Sequence, residues 1–275
     1  MEASMHIRRF SRMDRFTHLF LIVTFMLLAV TGAAQAFWFS EWTEPLKWLF
    51  GSYQQLRDVH VITGWIMTIG FVVHIALMLI RVDWHHPIEA LIGPDTLVPV
   101  WRDFKEFFQR LFWFVGLAKN TRFERWTYYE KFDYWAVFWG IPILFFTGLM
   151  LIYPIESSRL LPGWTINVAH LVHRAEAVLA VSYIVLIHLV VGHFRRSTFP
   201  LNETMFSGSV QLDHLQHEKP DWVARLKTGG QLATMAVVAP AIWFRILYFL
   251  FGYAVIAIGL YLLISALPYS HLLHI

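Results

Sequence analysis

HVITGWIMTIGFVVH (His60–His74) and HRAEAVLAVSYIVLIH (His173–His188) decide how this chain folds, because each stretch begins and ends on histidine inside a long apolar run. An α-helix rises about 1.5 Å and turns about 100° per residue, so spacings of 14 and 15 residues put each pair within roughly 60° of one face, about 21–23 Å apart along the axis. Imidazole is costly inside lipid and is usually kept there for a task, of which axial ligation of haem iron is a common one. Two such helices facing each other can clamp two haems stacked along their length.

Working outward, the composition sets the class. The 275 residues are 57% hydrophobic and only 15% charged, far from a soluble domain. Five apolar runs reach or approach the roughly 20 residues of a spanning helix: Phe16–Phe39, His60–Ile80, Tyr134–Tyr153, Ala169–Gly192 and Ala241–Leu267. A span cannot leave backbone groups unpaired in lipid, so each is helical. AAQA at Ala33–Ala36 resembles a signal-cleavage site, but the first apolar core is longer than a signal peptide's. The expected fold is an all-α integral membrane protein, a four-helix haem-binding transmembrane bundle plus a fifth transmembrane helix.

Lys and Arg set the orientation. Arg8, Arg9, Arg12 and Arg15 precede the first span; Arg81, Arg102, Lys105, Arg110, Lys119, Arg122, Arg125 and Lys131 follow the second; Arg195, Arg196, Lys219, Arg225 and Lys227 follow the fourth. The opposite side carries Lys47, Arg57 and Arg159, with Arg174 at a helix mouth. The N-terminus is therefore expected in the cytoplasm, in a bacterial inner membrane. The basic balance suits anionic lipid and implies no nucleic-acid partner. Cysteine is absent, which excludes thiolate iron–sulfur clusters, C-x-x-C-H haem attachment and disulfides. Haem b becomes the natural cofactor.

The expected organisation is a dihaem four-helix membrane domain over residues 1–200 with a cytoplasmic loop over 82–133, then a cytoplasmic polar segment over 201–240. The fifth transmembrane helix and an external tail occupy 241–275. Within the loop, DFKEFFQRLFWFVGLA (Asp103–Ala118) carries aromatic residues at helical spacing, which reads as an amphipathic helix lying in the membrane interface or packed on its own bundle.

His60, His74, His173 and His188 are the first candidate ligands. Gly64 and Gly70 fall near the histidine face of the second span, and Ala177 and Ala180 line the strip in the fourth, leaving bare backbone for a macrocycle; ordinary small-residue packing also favours such residues in membranes. His18, in the first turn of the first span, competes with His74 for His188, unless a third haem is held by His18 with His193. His193 otherwise suits an interfacial or propionate contact, and His170 sits near the outer boundary. Arg174 and Glu176 could reach propionates or pair with each other. Asp14, Arg15, Arg81, Asp83, His85 and His86 gather where a quinone headgroup would need proton partners, or form a solvated belt.

RRFSRMDRFTHLFLIVTFMLLAVTG (Arg8–Gly32) resembles the opening of the cytochrome b (gamma) subunit of membrane-bound formate dehydrogenases and the related hydrogenase b-type cytochromes. EKFDYWAVFWGIPILFFTGLMLIYP, HRAEAVLA and IHLVVGHFRRSTFP are similar to that family's third and fourth helices. The resemblance covers about Arg8–Pro200. It implies His60 with His173 on an outer haem and His18 with His188 on an inner one. His74 departs from the pattern and resembles instead the paired-histidine helices of quinol:cytochrome c oxidoreductases.

The expected function is a b-type cytochrome moving electrons between the quinone pool (menaquinone or ubiquinone) and a periplasmic iron–sulfur or multihaem c-type cytochrome subunit. Each iron would carry two imidazoles, and the main catalytic site would lie on another chain. The rivals are a proton or solute transporter using intramembrane histidines and a haem-free anchor. Neither explains the two separated histidine levels or the small residues beside them.

Overall fold

The computed structural model describes residues 5–195 and 197–269; Arg196 and the end of the expected external tail, 270–275, lie outside the described residues. Thirteen α-helices occur among the described residues, in chain order α1 Arg12–Ala36, α2 Glu44–Phe50, α3 Tyr53–Arg81, α4 Pro87–Ile92, α5 Trp101–Phe114, α6 Tyr128–Ile152, α7 Pro154–Leu160, α8 Trp164–Tyr183, α9 Leu189–His193, α10 Thr204–Ser207, α11 Leu212–Glu218, α12 Pro220–Thr228 and α13 Ile242–Ala266. A π turn, Ile184–His188, joins α8 to α9. Strands β1 His6–Arg8, β2 Ser209–Gln211 and β3 Ala236–Val237 complete the elements.

The five expected spans are present as α1, α3, α6, the α8–π–α9 run and α13. Only 6–17% of each span's apolar window is buried, so these helices turn most of their hydrocarbon outward, as lipid-solvated helices do. Three of them begin earlier than their apolar runs because polar residues cap them. Ser11 and Asp14 exchange backbone–side-chain hydrogen bonds of 2.8 and 3.2 Å; Ser52 with Gln55 and Thr127 with Glu130 repeat the arrangement. Each capping box satisfies amide donors that the first turn leaves orphaned.

The chain forms two compact units. One comprises Met1–Arg15, Ala76–Phe138 and Glu203–Arg245. Its core is Ile7, Val210, Leu212, Leu215, Trp222, Val223 and Leu226. β1 lies between β2 and β3, antiparallel to both, with Ile7 opposite Val210 and Ala236. This small sheet adds to the all-α expectation, since strands of two or three residues are too short to display a period of two. Gly208 caps α10 at φ 77°, and its carbonyl receives the amides of Arg9 and Phe10 at 2.8 and 3.2 Å. A Cβ there would stand 2.9 Å from Cδ of Arg15.

Charge is buried in this unit. Glu130 accepts from Arg9 at 2.8 Å and pairs with Lys219; Arg9 and Lys219 both also donate to the Arg125 carbonyl. Burial and the Arg9 guanidinium push the Lys219 ammonium down to about 8. Lys131, 1% exposed, donates to Asp103 at 2.9 Å. Glu106 stands beside Arg102, and burial pushes its carboxyl up to about 7.

The other unit comprises Phe16–Ile75, Trp139–Asn202 and Ile246–Ile275. Its buried apolar residues include Ala34, Leu56, Met67, Ile141, Ala169, Val185, Leu189, Ile256 and Leu262. The side chains Ile62, Ile66, Ile69 and Val72 face outward along α3.

Glu106 supplies a pH test. A group whose folded pKa is raised binds more protons in the folded state across the interval between its ordinary and its raised value. Its contribution is therefore fully present below its ordinary value of 4.5 and is lost as pH rises through about 7. Thermal unfolding of the detergent-solubilised chain at pH 5 and pH 8 is expected to show a loss of about 1–3 kcal/mol at the higher pH. Glu106→Gln should remove most of that loss, and an equal loss in both proteins would assign it to other groups.

Candidate functional site

In the second unit, α3 and α8 bring His60 and His173 together, ring centroids 6.4 Å apart and ring planes at 68°. Two metal–imidazole bonds of roughly 2.0–2.1 Å plus the two ring radii place centroids about 6–6.5 Å apart. The pair thus stands at the separation that one iron between two imidazoles requires. Both rings are also held from behind. Thr31 Oγ1 lies 2.9 Å from Nδ1 of His60, and Thr147 Oγ1 lies 3.0 Å from Nδ1 of His173.

The hydroxyl protons decide the tautomer. Thr31 donates its proton to the Leu27 carbonyl at 2.7 Å, and Thr147 donates to Ile143 at 2.6 Å. Each hydroxyl therefore offers a lone pair to its histidine, which donates from Nδ1. With Nδ1 protonated, Nε2 of each ring keeps the lone pair that metal ligation needs. Glycine makes the approach possible: a Cβ on Gly32 or Gly148 would sit 3.2 Å from Cε1 of His60 or His173.

A second imidazole cluster lies further along the same helices. His188 and His193 lie near enough to His18 to act on it electrostatically. Nδ1 of His193 accepts the Asn202 amide at 3.1 Å. His74 is half-buried on α3, 14 residues beyond His60.

The π turn resolves a mismatch in spacing. Fourteen α-helical residues bring His74 to about 40° behind His60, whereas fifteen would carry His188 about 60° ahead of His173. The turn Ile184–His188 closes with the Leu189 amide on the Ile184 carbonyl, an i→i+5 bond that takes up one residue more than an α turn. The 15-residue interval in the fourth span then has the phase of a 14-residue one.

The remaining candidates are distributed as follows. Gly64 opens on free space, since a Cβ there meets nothing within 4 Å, while Gly70 is packed against the Phe20 ring. Ala177, Ala180 and Arg174 are half-buried on α8, and His170 is exposed. Glu176 Oε1 lies 3.3 Å from where a Cβ of Gly140 would stand. Asp14 is the capping acid of α1, and Arg15 packs at Gly208. Arg81, Asp83, His85 and His86 are exposed. Asp83 accepts from His86 at 3.0 Å, and that bond with the His85 amide holds its carboxyl below the usual carboxylate range.

Thr31, Gly32, Thr147 and Gly148 are site residues that the histidine spacing did not reveal. Their signal is a repeated Thr-Gly dipeptide, LAVTG at Leu28–Gly32 and LFFTG at Leu144–Gly148. Each dipeptide lies on the span preceding a histidine span.

A family model described as prokaryotic cytochrome b561 matches residues 9–208. That interval holds α1, α3, α6 and the α8–π–α9 run and ends before α13. No curated protein matches the chain.

An acceptor at Nδ1–H makes an imidazole a stronger donor to a metal and favours the oxidised ion. Thr31→Val and Thr147→Val are each expected to raise the midpoint potential of a haem held by His60 and His173. Optical redox titration of the purified variants reads this directly. No shift in either variant would contradict the assigned contacts.

Proposed function

Since the chain belongs to the prokaryotic cytochrome b561 family, that of the nickel–iron hydrogenase b-type cytochromes, we propose that it is a dihaem subunit of a respiratory complex in the bacterial inner membrane. It exchanges electrons between a periplasmic redox partner, an iron–sulfur or multihaem c-type protein, and menaquinone or ubiquinone. The chain is a multi-span membrane b-type cytochrome. One observation supports the finer reading chiefly, the His60–His173 pair with ring centroids 6.4 Å apart and both Nδ1 atoms engaged by threonine hydroxyls.

His60 and His173 hold the outer haem, and His18 and His188 hold the inner one. The proximity of His188 to His18 supports the second pairing, with His193 beside it. Haem b, when bound, supplies a one-electron carrier whose two imidazole ligands leave no coordination position open. The chain supplies the rest. Thr31 and Thr147 fix the ring planes and the proton at Nδ1, and Gly32, Gly64 and Gly148 leave room close to the backbone. The interval from His173 to His188 along the fourth span separates the two levels by about 21–23 Å of helix rise. We place the haem bundle within residues 1–200 and quinone exchange at the inner level, where protons can be taken from the cytoplasm.

Pyridine haemochrome quantification with dithionite-reduced minus oxidised spectra tests this reading. Two b-type haems per chain are expected. His60→Ala and His173→Ala should each lose the same haem, His18→Ala and His188→Ala the other, and His74→Ala should keep both. Folded, haem-free wild-type chain would sink the proposal, and two retained haems in His18→Ala would overturn the inner pairing.

A further inference from the structure

We infer that α5 is a membrane-surface helix whose aromatic face lies among the headgroups and upper acyl chains of an anionic leaflet. Its amphipathicity is reversed with respect to its own protein. Asp103 and Glu106 are each 5% exposed, while Trp101, Phe104, Phe108 and Phe112 are 52–71% exposed. The acids have internal reasons to turn inward: Asp103 binds the Lys131 ammonium at 2.9 Å and caps the helix at the Val100 amide, and Glu106 faces Arg102. The aromatic stripe lines a shallow cavity of about 430 Å³ with Lys105 in its wall.

Charge complementarity names the occupant. With the acids turned in, the charge left facing outward on and just beyond α5 is cationic, from Lys105 and Lys119, and the half-buried Arg110 stacks 4.2 Å over the Trp113 ring. An outward row of Phe and Trp edged by Lys and Arg is the pattern of an interfacial helix on anionic lipid. The chain also tethers α5 at both ends to spans, α3 before it and α6 after it.

The chain contains no cysteine, so a single spin label can be placed without altering any other site. Full-length Phe108→Cys and Phe104→Cys would each be labelled and reconstituted in nanodiscs of phosphatidylcholine and phosphatidylglycerol. Asp213→Cys on α11 serves as the solvent-exposed reference. In power-saturation EPR, collision with oxygen should exceed collision with a water-soluble nickel chelate at 104 and 108, with the reverse at 213. Nickel access at 104 and 108 equal to that at 213 would overturn the inference. So would exclusion of both reagents, which would mean that protein covers the face.

A separate observation carries a second inference: α13, outside the matched family region, positions the π turn. A Cβ on Gly259 would stand 2.7 Å from Cγ2 of Val185, the second residue of that turn. Val185 and Leu189 are buried, as are Ile256 and Leu262 of α13. The glycine lets α13 approach until Val185 is seated, and the turn so held sets the phase of His188. We propose that Gly259 is a positioning residue for the inner ligand, an inference that rests on His188 ligating a haem.

Gly259→Ala is expected to shift the low-spin EPR signal of the inner haem and leave the outer one in place, which also reports that the bundle has folded. Val185→Ala in the same chain removes the methyl that the new Cβ meets and should restore the signal. Gly252→Ala, which meets Leu201 at 3.1 Å, is the control away from the π turn. An unchanged inner signal in Gly259→Ala, or a shift that Val185→Ala does not reverse, overturns the positioning role. Both haems retained in His188→Ala overturns the ligand reading beneath it.

Discussion

A histidine buried in an apolar span must give its ring N–H to something, and the Thr–His hydrogen bond is how His60 and His173 do so. A buried N–H without an acceptor costs on the order of 1–3 kcal/mol and leaves the tautomer undefined. Thr31 and Thr147 remove both problems together, because each hydroxyl first spends its proton on its own helix. Helix α1 is thereby matched to α3 and α6 to α8, and the glycine after each threonine sets how closely the helices meet. The first pair of imidazoles follows from two dipeptides on helices that carry no ligand at that level.

The second level depends on helix phase. The π turn at Ile184–His188 absorbs one residue immediately before the ligand candidate, so the fourth span reaches its second level with the phase of a 14-residue interval. π turns inside long helices are frequent at functional sites for this reason. In this chain the turn is held from outside by a glycine on α13.

Much of this was legible in the residues alone, and the parts that were not share a cause. Hydrophobic length located all five spans, and S-x-x-D at Ser11, S-x-x-Q at Ser52 and T-x-x-E at Thr127 mark the starts of three of them. The histidine spacing singled out His60 and His173, which the structure brings together. Thr31 and Thr147 escaped because threonine in a span usually bonds its own backbone, as these do, and only the facing imidazole distinguishes them. The π turn escaped because it has no local signature; Val185 within it meets Gly259, 74 positions away. The inward turn of Asp103 on α5 escaped because its partner Lys131 lies on another helix. Periodicity reports how one segment is patterned, and each omission required knowing which second segment it meets.

The small sheet constrains the path of the whole chain. Residues 6–8 pair with 209–211 and 236–237, and backbone hydrogen bonds cannot form through a bilayer. The amino terminus and the stretch around 209–237 must therefore share one side of the membrane, which requires an even number of crossings between residues 8 and 209. Four spans lie in that interval. The parity follows from strand pairing alone, with no use of where the lysines and arginines fall. Synthesis acquires an order as well: β1 is made first but can find its neighbours only after the fourth crossing is complete, so closure of the sheet records that the bundle has been threaded correctly.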